Sequence, residues 1–143
     1  MYIHQISVFI ENKAGNLSKF TNFLADNQID MRSFEIADAA DFGIIRIIVD
    51  QPIETLTLLR ENGWICNITE VIGVKIPDKP GSMAKCMSIL AENKISVEYV
   101  HAFLARDTND ALMIFRVDDN EKVVSLLKKN GVTIISQEQL MAM

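Results

Sequence analysis

Cysteine and histidine are scarce in this chain, with two of each among 143 residues. Cys66 and Cys86 form no CxxC pair, which removes the usual thiol-redox and zinc patterns. A structural disulfide is not expected, and both cysteines read as small buried thiols. His4 and His101 lie far apart, and no Ser, Cys or Asp near them has the spacing of a nucleophile–base set. No metal signature and no phosphate loop is present. The expectation is a non-catalytic protein with no cofactor and no metal.

Long apolar runs are missing as well, so no membrane contact is expected. The start, Met1-Tyr2-Ile3-His4-Gln5, lacks the basic and apolar regions of a signal peptide, and a cytoplasmic protein is expected. Positive charge is in short supply, with 14 Lys and Arg against 19 Asp and Glu and a net charge of -5. The lysines are scattered, which argues against direct nucleic-acid binding. What the chain has in quantity is apolar residues, 49% of the whole, a fraction that suits a compact fold.

Those residues fall into a pattern that occurs twice. Ile72, Val74 and Ile76 alternate into the turn Asp78-Lys79-Pro80-Gly81-Ser82-Met83, and Met83, Cys86, Met87 and Leu90 follow at helical spacing. Ile6, Val8 and Ile10 lead in the same way into Asn12-Lys13-Ala14-Gly15-Asn16-Leu17. With Gly15 set on Gly81, the pairs Lys13/Lys79, Lys19/Lys85, Leu24/Leu90, Ala25/Ala91, Asn27/Asn93 and Ile29/Ile95 are identities. After a two-residue insertion in the second copy, Asp50/Asp118, Asn62/Asn130 and Gly63/Gly131 also align. The chain is a tandem duplication.

Each copy predicts the order β-α-β-β-α-β, the ferredoxin-like arrangement with an antiparallel sheet and both helices on one face. In copy one the strands are expected at Tyr2 to Ile10, Ile29 to Ala37, Ile44 to Val49 and Trp64 to Ile68. Phe34, Ile36, Ile45, Ile47 and Val49 are expected to face the core. A helix after Gly15, capped by Asn16 or Ser18, presents Leu17, Phe20, Phe23 and Leu24, and Pro52 opens a second. A turn is expected at Asp38 to Gly43. Copy two repeats the plan. Thr69 to Ile76 is its first strand, Ser82 the candidate helix cap, Ile95 to Ala105 its second strand and Arg106 to Asp110 a turn. The fold class is α+β, with domains at 1–68 and 69–143 and no flexible linker between them. On the sheet face opposite the core, Tyr99, Phe103, Leu112 and Ile114 are too apolar to stay wet. They are expected to be covered by the other domain, a second subunit or a partner.

On these residues the chain resembles the ACT domains, small regulatory modules of β-α-β-β-α-β topology that bind amino acids. The turn at 78–83, the amphipathic helix after it and Asn-Lys-Ile-Ser-Val at 93–97 carry the resemblance. So do Asn-Lys-Ala-Gly-Asn-Leu at 12–17 and Asn-Gln-Ile-Asp-Met at 27–31. The resemblance implies a free amino acid bound where two such domains meet, its carboxylate received by the strand-to-helix turn. The ligand residues so implied are Asn12, Lys13, Ala14, Gly15, Asn16 and Leu17 in copy one. In copy two they are Asp78, Lys79, Pro80, Gly81, Ser82 and Met83. Asp30 and Ser96 complete the set at the start of each second strand. Ala14 departs from the Pro usual at its position. Ile10 and Ile76 stand where serine-binding relatives carry His, so serine is not indicated as ligand. The implied protein is a non-catalytic sensor and a homodimer. The alternative is a regulatory subunit acting by protein contact on an enzyme of amino-acid biosynthesis, in the manner of the acetolactate synthase small subunit.

Overall fold

The computed structural model describes residues 2–38, 41–104 and 108–143. Among them, seven strands and five helices follow in the order β1 (Ile3–Glu11), α1 (Asn16–Asp26), β2 (Met31–Asp38), β3 (Phe42–Val49), α2 (Pro52–Glu61), β4 (Ile65–Pro77), α3 (Ser82–Glu92), β5 (Tyr99–Leu104), β6 (Asp110–Arg116), α4 (Asn120–Lys129), β7 (Thr133–Ile135) and α5 (Gln137–Met141). The chain divides into two units. One is His4–Thr69, copy one, and the other is residues 2–3 with Glu70–Met143, copy two.

In copy one the strand order is β2-β3-β1-β4. The β1/β3 and β2/β3 pairs are antiparallel, with Ile6 opposite Ile47 and Phe34 opposite Ile47 on the other side. Residues directly opposite in a ladder share a face. Ile6, Val8, Ile45, Ile47 and Val49 therefore form one apolar surface, and Phe20 and Leu24 of α1 and Leu56 and Leu59 of α2 pack on it. Copy two has the order β7-β4-β6-β5, all antiparallel. Its core joins Ile72, Val74 and Ile76 to Cys86 and Leu90 of α3 and to Val123 and Leu127 of α4. Both units are βαββαβ sheets, α+β in class.

Four expectations change. The strands expected at Trp64 to Ile68 and Thr69 to Ile76 are one strand, Ile65–Pro77. No Gly or Pro interrupts residues 65 to 72, and the Ile, Thr and Val there favour extended backbone. The strand expected from Ile95 begins only at Tyr99. Lys94 turns the chain at φ 55°, and Ile95 and Val97 go into the core as side chains before Glu98 N–H makes its bond to Arg116 O (2.9 Å). Neither Asn16, Ser18 nor Ser82 caps a helix. Gly15 and Gly81 occupy the cap positions with no side-chain bond, and the Asn16 amide instead donates back to Glu11 O at 2.8 Å. Phe34 and Ile36 do lie on the core face, opposite Ile47 and Ile45. They are nonetheless 40% and 47% exposed, because β2 ends the sheet and the core of α1 and α2 is built over β1 and β3.

Other expectations hold in whole or in part. Pro52 is the first residue of α2. On the face opposite the core, Leu112 and Ile114 are buried, whereas Tyr99 and Phe103 are only half-buried. Of the turn expected at Asp38 to Gly43, residues 39–40 lie outside the described residues, while Asp38 belongs to β2 and Phe42 and Gly43 to β3, so the turn is shorter than expected. The turn at Arg106 to Asp110 falls partly outside the described residues, and Ala105 lies outside altogether.

Helices α1 and α3 both end on a non-glycine residue at positive φ, Gln28 at 56° and Lys94 at 55°. In each case the next N–H closes on the helix, Ile29 to Leu24 O at 2.9 Å and Ile95 to Leu90 O at 3.0 Å. Left-handed backbone strains a side chain and costs glycine nothing. Lys94→Gly should therefore raise the stability of the folded chain by about 0.5–1 kcal/mol. Urea unfolding of Lys94→Gly beside the parent checks this, and an unchanged or lowered midpoint refutes it.

Candidate functional site

The two strand-to-helix turns share one backbone plan. Lys13 N–H bonds Glu11 O at 2.8 Å and Lys79 N–H bonds Pro77 O at 3.0 Å. Asn16 and Ser82 donate to the carbonyls of Lys13 and Lys79, at 3.2 and 3.3 Å. Gly15 and Gly81 then stand at φ 88° and 90°. Lys19 and Lys85 close the first helical bonds on their carbonyls, both at 2.9 Å. No side chain caps either helix. The first-turn N–H groups that follow Asn16 and Ser82, at the positive end of each helix dipole, are thus left to water or to a ligand anion.

The side chains around these turns differ between the copies. In copy one the Lys13 ammonium lies 2.6 Å from the Glu11 carboxylate. The pair holds Glu11 below the ordinary carboxylate range and Lys13 above its own. Lys19 sits over the Trp64 ring, 5.9 Å from its centre. Trp64 in turn packs edge-on against Phe20 at 5.2 Å and against Phe23 at 5.8 Å. In copy two, Pro77 replaces Glu11, Cys86 replaces Phe20 and Val132 replaces Trp64. The result is a cleft of about 680 Å³ between the turn, the start of α3 and the end of α4. Lys79, Pro80, Gly81 and Ser82 line it, joined by Lys75 and Lys85 and, across from them, Asn130 and Thr133. Lys75 pairs with Asp110 at 3.0 Å.

Of the residues singled out in sequence, Lys79, Pro80, Gly81 and Ser82 meet in this cleft. Asp78 is exposed and its N–H bonds Asn109 O at 2.8 Å. Met83 is 43% exposed, as its counterpart Leu17 is at 39%. In copy one, Asn12 N–H bonds Asp41 O at 3.1 Å, and Asn12, Lys13, Ala14 and Gly15 lie exposed on the surface. Asp30 lines a separate hollow of about 330 Å³ with Asp50 and Glu54. Ser96 lines another of about 200 Å³ with Asp118 and Lys122. Each lies beyond the far end of an eleven-residue helix from its own turn, a length of roughly 16 Å. Within a unit, turn and second-strand residue do not come together. Sequence reasoning missed Lys75, Lys85, Asn130 and Thr133. The signal was present in the aligned copies, where Glu11 falls on Pro77 and Trp64 on Val132. Among the described residues no group of three His, Cys, Asp or Glu could hold a metal ion, and no helix is long and apolar enough to cross a membrane.

The family model described as an ACT domain pair matches residues 1–143. No curated protein matches the chain. Among solved structures, a protein from Bacteroides thetaiotaomicron is 34% identical, with 100% of this chain and 98% of that one covered at a TM-score of 0.92. The regulatory subunit of aspartate kinase from Thermus thermophilus is 18% identical, with 90% and 93% covered at 0.63. That from Thermus flavus is 16% identical, with 90% of each covered at 0.59. The last two likenesses are of fold.

Burial pushes the thiols of Cys66 and Cys86 above the ordinary range, with Arg60 partly opposing it at Cys66. The folded chain keeps these protons to higher pH than the unfolded one. The stability involved is complete below the unfolded thiol value and declines as pH rises through the raised folded values. Stability should therefore decline as pH rises above about 8, and Cys86→Ala should flatten that decline. Urea midpoints measured over that rise test it, and an identical slope in the variant counts against it.

Proposed function

The chain belongs to the family of ACT domain pairs, and on that premise we propose that it is a non-catalytic regulatory protein whose ligand is a free amino acid. The observation that carries the reading is the repeated turn. In both copies a left-handed glycine starts a helix without a side-chain cap, which leaves polar N–H groups for a carboxylate. Asn12 and Asp78, in the turns, and Asp30 and Ser96, at the far ends, supply acceptors for an ammonium group. The ligand is held at one or both of these turns. Its binding favours one arrangement of the protein over another, and that difference is the signal.

A second reading has its own observation. β2 lies at the end of its sheet, and Phe34 and Ile36 expose apolar area there, with Phe42 of β3 56% exposed. Such a surface suits a second copy of the chain or an enzyme under its control. The aspartate kinase regulatory subunits of similar fold favour a regulatory subunit of this kind.

Titration calorimetry against the twenty amino acids tests the first reading. At least one should bind with a Kd below about 1 mM. Gly81→Val, which forces a β-branched side chain to positive φ, should abolish that binding while the chain remains folded at the assay temperature. If none binds, the sensor reading fails. Sedimentation of Phe34→Glu then tests the second reading, which requires this substitution to shift the parent's assembly towards the monomer.

A further inference from the structure

Of the aligned positions that differ around the turn, five remove bulk or a carboxylate, add a lysine or fix the turn, while Asn12 to Asp78 and Phe42 to Asp110 each add a carboxylate. Phe9 becomes Lys75, Glu11 becomes Pro77, Phe20 becomes Cys86, Trp64 becomes Val132, and Ala14 becomes Pro80. In copy one the lysines at the turn are occupied, Lys13 by Glu11 and Lys19 by the Trp64 ring. Their counterparts Lys79 and Lys85 have no ion-pair partner among the described residues, and both border the 680 Å³ cleft that the lost aromatics leave open. In copy one the hollow beside Trp64, about 570 Å³, reaches Lys19 and Asn62 but no residue of the 12–17 turn. Copy two has thus gained a Lys75–Asp110 pair, released two cations and opened space beside them.

The cleft also has a polarity. One wall is the start of α3 at Gly81 and Ser82, and the other is the end of α4 at Asn130 and Gly131. A helix start attracts an anion and a helix end a cation. A zwitterion fits across them, and the free ammonium groups of Lys79 and Lys85 remain for one further negative charge.

We propose that the copy-two cleft binds an acidic amino acid, a small molecule with two carboxylates and one ammonium group, and that the copy-one turn does not. This rests on the amino-acid reading above and names the ligand class and the copy.

Titration calorimetry with L-aspartate, L-glutamate, their amides, and succinate and glutarate distinguishes the possibilities. Aspartate or glutamate should bind, and both amides should bind at least tenfold more weakly (about 1.4 kcal/mol). Lys85→Gln should weaken binding about tenfold or more, whereas Lys19→Gln, its copy-one counterpart, should leave it unchanged. Val132→Trp, which restores the copy-one aromatic, should abolish binding in protein that still unfolds cooperatively. Retention of binding in either Lys85→Gln or Val132→Trp overturns the proposal. Binding of a neutral amino acid without aspartate or glutamate also overturns it and leaves the sensor reading standing. Succinate or glutarate binding as tightly as the amino acids overturns both, since no ammonium is then recognised.

Discussion

Gly15 and Gly81 hold φ at 88° and 90°, and much of what is distinctive in each copy follows from that torsion. A residue with a Cβ is strained there, so the chain reverses from strand to helix at a fixed point. The helix then begins one residue later, with Asn16 or Ser82 inside it rather than capping it. A side-chain cap would have filled the first-turn N–H groups. A glycine cap cannot, and the helix start stays available. No atom within 4 Å of either glycine would block a Cβ, so torsion alone, and not crowding, calls for glycine.

Gly73 shows the opposite case. Its backbone is not left-handed, but a Cβ there would collide with the Cδ1 of Ile3 and press on Ile135 O at 3.4 Å. Strand β4 passes close beneath Ile3 because nothing projects from it at that position. A glycine in the middle of a strand weakens it, and here the close approach of a buried isoleucine offsets that loss. The two kinds of glycine read alike in a sequence, and only their surroundings tell them apart.

How much was legible in the sequence depended on whether a feature was local. Helix ends were. Asn27, Asn62, Asn93 and Asn130 each close a helix, and each side-chain amide donates to the carbonyl four residues back, at 2.8 to 2.9 Å. Face parity was legible too, since Ile45, Ile47 and Val49 are all buried. Coverage was not, because alternation says which way Phe34 points and not whether a helix reaches it. The continuity of β4 was hidden because a boundary between repeats need not interrupt a strand. The separation of Asp30 from the 12–17 turn depended on the length and direction of the helix between them. The cleft could not be read from either copy alone. It is the consequence of three small or cyclic residues, Pro77, Cys86 and Val132, that sit far apart in sequence and meet only in the fold.

Set side by side, the copies show what the cleft does to the mechanics of its unit. In copy one the aromatic side chain at the start of β4 is gripped by two rings of α1 and by Lys19, and contacts of that kind contribute about 0.5–1.5 kcal/mol each beyond the area they bury. The junction between the first helix and the end of the second is locked by the chain itself. In copy two the same junction, between α3 and the turn after α4, has a valine and a cysteine where those rings stood, and retains the lysine. A ligand that enters there bridges the start of one helix and the end of another, as Trp64 does permanently in copy one. Only a ligand that binds the bridged arrangement more tightly than the open one can shift the balance between them. An acidic amino acid held at both helix ends and at Lys79 and Lys85 meets that condition, because opening the junction would separate the groups it joins.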